Sequence, residues 1–315
     1  MVRGISGSTR RAGKVDFVPD KLEPERALCG ELLIVAACIF QWEWQGRLIE
    51  VAYETVGAGR AVLLLPAFST VSSREEMRPL AEHLAAQDCG CVLVDWPGFG
   101  ESTRGRLGYG PRLYHQFLAD FVASVMPREP AVIAAGHAAL YVVALARDRP
   151  GVWSRAVLIA PTWRGPLPTA MGERPRAYAC VRNLVGTPVI GEAIYRLNTL
   201  RSVIGLMYRR HVYSEASRVT PAFVAKKQEI ARRRGARFGS AAFVTGCLDP
   251  VSSRGAFLAF FTPSPGPISV FCAPPRPPDP RRKWRRWQSV RALVCAGWGD
   301  RLVCTRNLRR MLPTR

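Results

Sequence analysis

Lysine is scarce in this 315-residue sequence, where it supplies only five of the 45 basic side chains. The formal net charge of +21 therefore comes almost entirely from arginine, and it is concentrated at the two ends of the chain. Residues 276–315 carry a net +10 and residues 1–14 carry +4, which leaves +7 for the 261 residues between them. Strongly basic chains often bind nucleic acid, but no recognition motif accompanies this charge. We therefore expect no specific nucleic-acid partner.

Paired cysteines are missing as well. The sequence has nine cysteines, but it contains no Cys-x-x-Cys pair and no cluster with metal-ligand spacing. Most thiols stand in apolar runs such as 91–94, where cysteine packs like a small hydrophobic residue. This usage is typical of a reducing compartment, here the cytoplasm or the plastid stroma. No glycine-rich phosphate loop is present either, so we expect neither a metal nor a cofactor.

Long apolar runs are also absent. The longest, Leu32 to Phe40, is about half of the roughly 18 residues that cross a bilayer, so no transmembrane segment is expected. Residues 1–41 form an N-terminal extension whose first 15 residues contain no acidic side chain. That composition resembles a transit peptide, but a disordered basic tail explains so short a segment better.

Apolar runs and amphipathic stretches alternate from about residue 42 onward. Residues 45–53 read as early strands with a turn near 57–59. Four short apolar runs are typical of strands buried on both faces: 61–65, 91–94, 131–135 and 156–160. Helical spacing connects them at 75–87, 113–125 and 139–147. The order predicts an α/β fold, a mostly parallel sheet flanked by helices.

The alternation stops after residue 160 and predicts the domain boundaries. Residues 42–160 form the core, and 161–240, with helical stretches near 190–210 and 221–234, form an inserted helical cap. Residues 241–261 and 290–315 continue the core, with the sheet resuming at Ala241–Thr245 or Ala292–Cys295. The Pro/Arg-rich segment 262–289 is expected to be a disordered insertion or an unspliced stretch of the gene.

Two motifs follow buried strands. Gly136-His137-Ala138-Ala139-Leu140 comes after 131–135, and Asp95-Trp96-Pro97-Gly98-Phe99-Gly100-Glu101-Ser102 comes after 91–94. Together they resemble the α/β-hydrolase family, which carries Asp-x-x-Gly-x-Gly-x-Ser and then Gly-His-Ser-x-Gly at such positions. Residues 65–70 and 160–165 are most similar to capped hydrolase-like proteins of cyanobacteria and plastids. The resemblance implies an α/β-hydrolase fold with an inserted helical cap.

The resemblance also shows what this sequence has lost. The family's nucleophile falls on Ala138, which has no atom able to attack a carbonyl. The last glycine of the motif falls on Leu140, which implies a relaxed turn. The backbone N–H groups of Phe68 and Ala139 remain as possible donors to a ligand oxygen.

The triad's base and acid are equally uncertain. The family places its histidine after the last strand, but the four histidines stand at 83, 115, 137 and 211, and only His211 could overhang a pocket from the cap. Asp300 is the preferred acid candidate, since a well-formed apolar strand precedes it, and Asp249 is the alternative. Ser69, Ser72 and Ser73 are better explained as loop and helix-capping residues than as nucleophiles.

These observations predict a catalytically degenerate α/β-hydrolase-fold protein. Its remaining function is to bind a small apolar ligand, in a pocket lined by Phe68, Trp96, Ala138 and Trp163, or to serve as a non-enzymatic fold homologue. The alternative is an active hydrolase of ester-like small molecules that uses other residues. The sequence leaves the ligand's identity and the oligomeric state open.

Overall fold

The computed structural model describes residues 38–212 and 216–272, which build a seven-stranded sheet with helices on both faces. The strand order is β1-β2-β4-β3-β5-β6-β7. Strand β2 pairs antiparallel with β1 and β4, whereas all pairs among β4, β3, β5, β6 and β7 are parallel. The strands are β1 Cys38–Trp44, β2 Arg47–Val56, β3 Arg60–Leu65, β4 Cys89–Val94, β5 Ala131–Ala135, β6 Arg155–Ile159 and β7 Ile268–Phe271. The predicted α/β fold is confirmed.

Three helices cover the sheet between these strands: α1 Arg78–Ala85, α2 Pro111–Val125 and α3 Ala138–Asp148. In β3, Leu63 and Leu65 pack with α2 and α3, whereas Val62 and Leu64 pack with α1. Successive side chains of a strand point to opposite faces, so a strand covered on both sides needs an uninterrupted apolar run. This is why the short apolar runs of the sequence became parallel strands.

Seven helices lie between β6 and β7: α4 Pro166–Met171, α5 Pro175–Gly186, α6 Val189–Asn198, α7 Arg201–Met207, α8 Pro221–Arg232, α9 Ala236–Val244 and α10 Arg254–Ala259. Lys227 of α8 donates to the Val71 carbonyl and pairs with Glu76, so α8 packs against the loop that follows β3. No helix of the described residues is long and apolar enough to span a membrane.

Two predictions about the sheet are wrong. Ala241–Thr245 is not a strand, because its apolar residues complete helix α9, and so short an apolar run does not distinguish the two structures. The predicted insertion cannot begin at 262, because residues 268–271 pair with β6 and bury Val270. The prolines on both sides of this four-residue strand predicted an irregular segment instead. Residues 273–315, including Ala292–Cys295, lie outside the described residues.

The first hairpin also differs from its prediction. Strands β1 and β2 turn at Gln45-Gly46, while residues 57–59 connect β2 to β3. Both connections contain glycine, and a loosely alternating segment does not indicate which one closes a hairpin. The error is local, because both segments remain strands at the edge of the sheet.

Alkaline pH is expected to unfold the protein through its buried tyrosines. Burial raises the pKa of Tyr109 and of Tyr195 to about 12, and it raises the pKa of Tyr114 and of Tyr141 well above the ordinary 10. The folded state therefore keeps these phenols neutral, while an unfolded chain ionises them above about pH 10. The resulting stability is complete below pH 10 and is lost as the pH rises through about 12.

The measurement is a parallel pH titration of tyrosinate absorbance and helical circular dichroism. The buried tyrosines should ionise last as the pH rises, and the increase in tyrosinate absorbance from them should coincide with the loss of the helical signal. Full ionisation of all eight tyrosines while the helical signal stays intact would contradict the burial of these four.

Candidate functional site

The turn from β5 to α3 is where the family places its nucleophile, and here its only left-handed residue is Gly136, with φ of 56°. Ala138 is instead the first residue of α3, and it is 0% exposed. Ala138 therefore has no reactive atom and does not project from the turn. Its assignment to the family's nucleophile position stays a prediction from the motif.

The predicted pocket lining lies mostly inside the core. Phe68 stacks on Trp96 with ring centroids 4.8 Å apart, and both rings contact Tyr114 and Tyr141. Phe68, Trp96 and Ala138 are all buried. Aromatic residues line enclosed pockets and fill closed cores alike, so the role of these side chains in a pocket stays a prediction.

The other two predicted binding groups have partners. The Ala139 N–H donates to the Gly136 carbonyl over 3.3 Å, so it is not aimed at a ligand oxygen. Trp163 is half-buried and packs with the cluster of Leu140, Val251 and Phe257. The three serines after β3 remain within their loop: the Ser72 hydroxyl donates to the Ala67 carbonyl, and the Ser69 hydroxyl accepts from the Val71 N–H.

The motif after β4 has a structural role. Asp95 is fully buried, pairs with the Arg74 guanidinium and accepts from the backbone N–H groups of Arg74 and Glu101, at 2.6 and 2.8 Å. The Ser102 hydroxyl donates to the Asp95 carbonyl and accepts from the Ala52 N–H. These bonds tie the loops after β3 and β4 together, and none of them leaves a group free for a substrate.

His137, beside the glycine of the turn, forms two hydrogen bonds. Its Nε2 lies 3.0 Å from Asp249 Oδ1, and its Nδ1 lies 2.8 Å from Thr162 Oγ1. A carboxylate only accepts, so in the neutral ring Nε2 carries the proton and Nδ1 keeps a lone pair. The Thr162 hydroxyl is then the donor to Nδ1. The three side chains form a continuous hydroxyl–imidazole–carboxylate chain.

Three separate parts of the fold bring this chain of groups together. His137 follows β5, Thr162 follows β6, and Asp249 lies between α9 and α10. The backbone of Ala160 adopts a φ of 45°, and this turn returns the chain so that the Thr162 N–H donates to the Gly136 carbonyl. A non-glycine residue with positive φ costs about 1 kcal/mol or more, and such strain often marks a functional site.

The three side chains differ in access to solvent. Thr162 is exposed, whereas His137 is only 3% exposed and its ring packs edge-on against Phe243. The Asp249 side chain is 12% exposed, and its second oxygen accepts from the Gly165 N–H at 2.9 Å. Thr162 is therefore an exposed residue, while the imidazole and carboxylate to which it connects are held and shielded.

The comparisons with known proteins agree with this architecture. The family model described as "Alpha/beta hydrolase family" matches residues 62–314. The chain belongs to the alpha/beta hydrolase family. The resemblance stated from the motifs after β4 and β5 is thereby confirmed, although the residues that carry the family's chemistry are a separate question. No curated protein matches the sequence.

Solved structures of this family superpose on most of the chain. Haloalkane dehalogenase DatA from Agrobacterium tumefaciens C58 is 14% identical, with a TM-score of 0.54 over 75% of this chain and 78% of that one. Epoxide hydrolase VrEH1 from Vigna radiata is 14% identical, with a TM-score of 0.53 over 75% and 79%. Cfl2 from Burkholderia cenocepacia is 18% identical, with a TM-score of 0.54 over 75% and 79%. At these identities the likeness establishes the fold alone.

Among the residues that the structure describes, the alternative acid Asp249 reaches the turn, where it bonds to His137. Asp300, the preferred acid, lies outside the described residues, and so does the side chain of His211. Neither His137 nor Thr162 was predicted as a site residue, because the family motif gives neither of them a role in the triad. Within the described ranges, no group of three or more metal-ligating side chains could hold a metal ion.

Proposed function

We propose that this member of the alpha/beta hydrolase family binds a small apolar molecule of the ester or amide type at the carboxyl edge of β3, β5 and β6. We also propose that it does not hydrolyse such a molecule with a nucleophile on the strand-to-helix turn. The observation that carries the proposal is Ala138, at the motif's nucleophile position, which has no reactive atom and is buried as the first residue of α3. A working hydrolase carries its nucleophile at this position of Gly-x-Ser-x-Gly.

Accessibility supports this location for the ligand. Thr162 is exposed, and Ala67 and Gly136 are partly exposed, in contrast to the buried Phe68 and Trp96. A side chain added at Gly136 would bring its Cβ within 3.1 Å of Ala67 Cβ and 3.7 Å of Thr162 Oγ1. Ala67 and Thr162 therefore lie beside the partly exposed Gly136, and we call this part of the surface the notch. Open α/β sheets bind ligands at the carboxyl ends of their strands, where this notch lies.

The binding part is tested with N-(4-nitrophenyl)butanamide, observed by saturation-transfer NMR. Wild-type protein should transfer saturation to the amide, and Thr162→Trp should abolish the transfer because an indole fills the notch. Ala170→Trp introduces the same group at an exposed position outside the notch, so it should bind like wild type. No transfer with the wild type, or equal transfer with Thr162→Trp, would contradict the proposed site.

Placing a serine at the position that the motif assigns to the nucleophile is expected to leave ester turnover unchanged. The side chain of residue 138 lies in the core, so the hydroxyl of Ala138→Ser cannot meet a substrate. Turnover of p-nitrophenyl butyrate by Ala138→Ser should equal that of wild type. Ala139→Ser, at the next equally buried position of α3, is the matched control. A gain of ester hydrolysis confined to Ala138→Ser would place residue 138 in the site.

A further inference from the structure

We propose that Thr162, His137 and Asp249 form a nucleophilic site that accepts the acyl group of an activated carboxylic ester. The inference rests on the proposed binding notch and adds chemistry to it. Its reactive hydroxyl comes from the loop after β6, and its base comes from the turn after β5. The order of groups is that of a nucleophile–base–acid triad, although none of the three occupies the position that the family uses for the same role.

The hydrogen bonds define the role of each residue. Asp249 holds the Nε2–H of His137, which leaves Nδ1 as the acceptor for the Thr162 proton at 2.8 Å. That separation is within the reach of a general base. Gly165 fixes the second oxygen of Asp249, so the carboxylate cannot rotate away from the ring without losing a bond. The imidazole is therefore oriented before any substrate arrives.

A structural role would explain the buried His137–Asp249 pair, but it does not explain the exposure of Thr162. A hydroxyl that merely satisfied a buried imidazole would be expected inside the core, as Tyr141 is, whose hydroxyl donates to the Leu248 carbonyl. Thr162 is instead an exposed residue whose hydroxyl bonds to His137. Nucleophilic attack requires a hydroxyl near solvent with a base beside it.

The glycine at the tip of the turn completes the argument. A side chain at residue 136 would stand beside Thr162 Oγ1, where a substrate carbonyl must approach. Because residue 136 is glycine, no side chain stands beside this hydroxyl.

The proposed reaction needs no cofactor, because His137 carries the proton in each step. His137 Nδ1 takes the proton of the Thr162 hydroxyl while Oγ1 forms a bond to the ester carbonyl carbon. The bond from that carbon to the leaving oxygen breaks, and the proton on Nδ1 passes to this oxygen, which releases the alcohol or phenol. Water then attacks the acyl-threonine with His137 again as the base. Cleavage of the bond between Oγ1 and the acyl carbon releases the acid and returns the proton to Thr162.

The experiment measures acylation of the full-length protein by p-nitrophenyl butyrate. Intact mass spectrometry should show one added butyryl group, and peptide mapping should place it on Thr162. Thr162→Ser keeps the hydroxyl and should be acylated, whereas Thr162→Val should not be. Asp249→Asn leaves His137 without its orienting carboxylate and should slow release of p-nitrophenol about 100-fold. Thr169→Val makes the same change in α4, where the hydroxyl bonds only the Arg164 carbonyl, and should behave like wild type.

The amide probe separates the two proposals. Thr162→Val preserves the shape of the notch, so it should still bind N-(4-nitrophenyl)butanamide while losing acylation. A wild-type protein that binds the amide but gains no acyl group on Thr162 would overturn this inference and leave the binding proposal standing. Acylation that persists in Thr162→Val would overturn it as well, because the nucleophile would then be another residue.

Discussion

Replacing Arg74 by methionine is expected to lower the free energy of unfolding by about 3–5 kcal/mol, because it leaves a buried carboxylate without its cation. Asp95 is 0% exposed and pairs with the Arg74 guanidinium, whose other atoms reach Glu101 at 2.6 Å and Glu54 at 3.6 Å. Burial raises the pKa of the Asp95 carboxyl, and the charge of Arg74 opposes that rise. Methionine keeps much of the apolar part of the arginine side chain, so the loss of stability reports the removed positive charge rather than lost packing.

The measurement is urea denaturation at neutral pH, followed by circular dichroism. Arg112→Met changes the same residue type at an exposed position of α2 and should shift the free energy of unfolding by less than about 0.5 kcal/mol. Equal small effects for the two variants would show that the Arg74–Asp95 pair contributes no more than a surface arginine.

Gly100→Ala is expected to destabilise the protein by a similar or larger amount. Gly100 has a φ of 51°, and an added Cβ would overlap the carboxylate carbon and both oxygens of Asp95. The carboxylate cannot yield freely, since it is held by Arg74 and by the Glu101 N–H. Alanine must therefore break part of this network, which costs about 3–5 kcal/mol, in addition to about 1–2 kcal/mol for the left-handed backbone.

The control for this substitution is Gly105→Ala, because a Cβ at Gly105 meets no atom within 4 Å. Both variants are compared with wild type by the same urea titration. Gly100→Ala should unfold at a far lower urea concentration or fail to accumulate as folded protein, while Gly105→Ala should resemble wild type. A Gly100→Ala protein of wild-type stability would refute the close approach to Asp95.

The motif after β4 illustrates how far the sequence predicts the site. Its spacing was sufficient to identify the family, because the arrangement of Asp95, Gly100 and Ser102 is needed to close a loop within one short segment. The role of these residues depended on Arg74, which stands 21 positions earlier in the chain. A motif can therefore indicate a fold while its residues serve stability alone.

Aromatic residues show a different limit. Phe68, Trp96, Tyr114 and Tyr141 come from four separate segments, and each is compatible with either a ligand pocket or a closed core. Packing decides between the two, because aromatic rings that reach one another exclude the space a ligand would need. The sequence does not show which rings contact one another, so only the structure revealed this aromatic cluster.

By itself the sequence determined the alternation of strands and helices and the family. These properties depend on local patterns: apolar runs of strand length, helical spacing and the motifs that follow two of the strands. Only the tertiary structure decided that Gly136 occupies the tip of the turn and that His137 meets Thr162 and Asp249, which are 25 and 112 positions away in the chain. The physical reason is that parallel strands bring their carboxyl ends to one edge of the sheet, where side chains distant in sequence become hydrogen-bond partners.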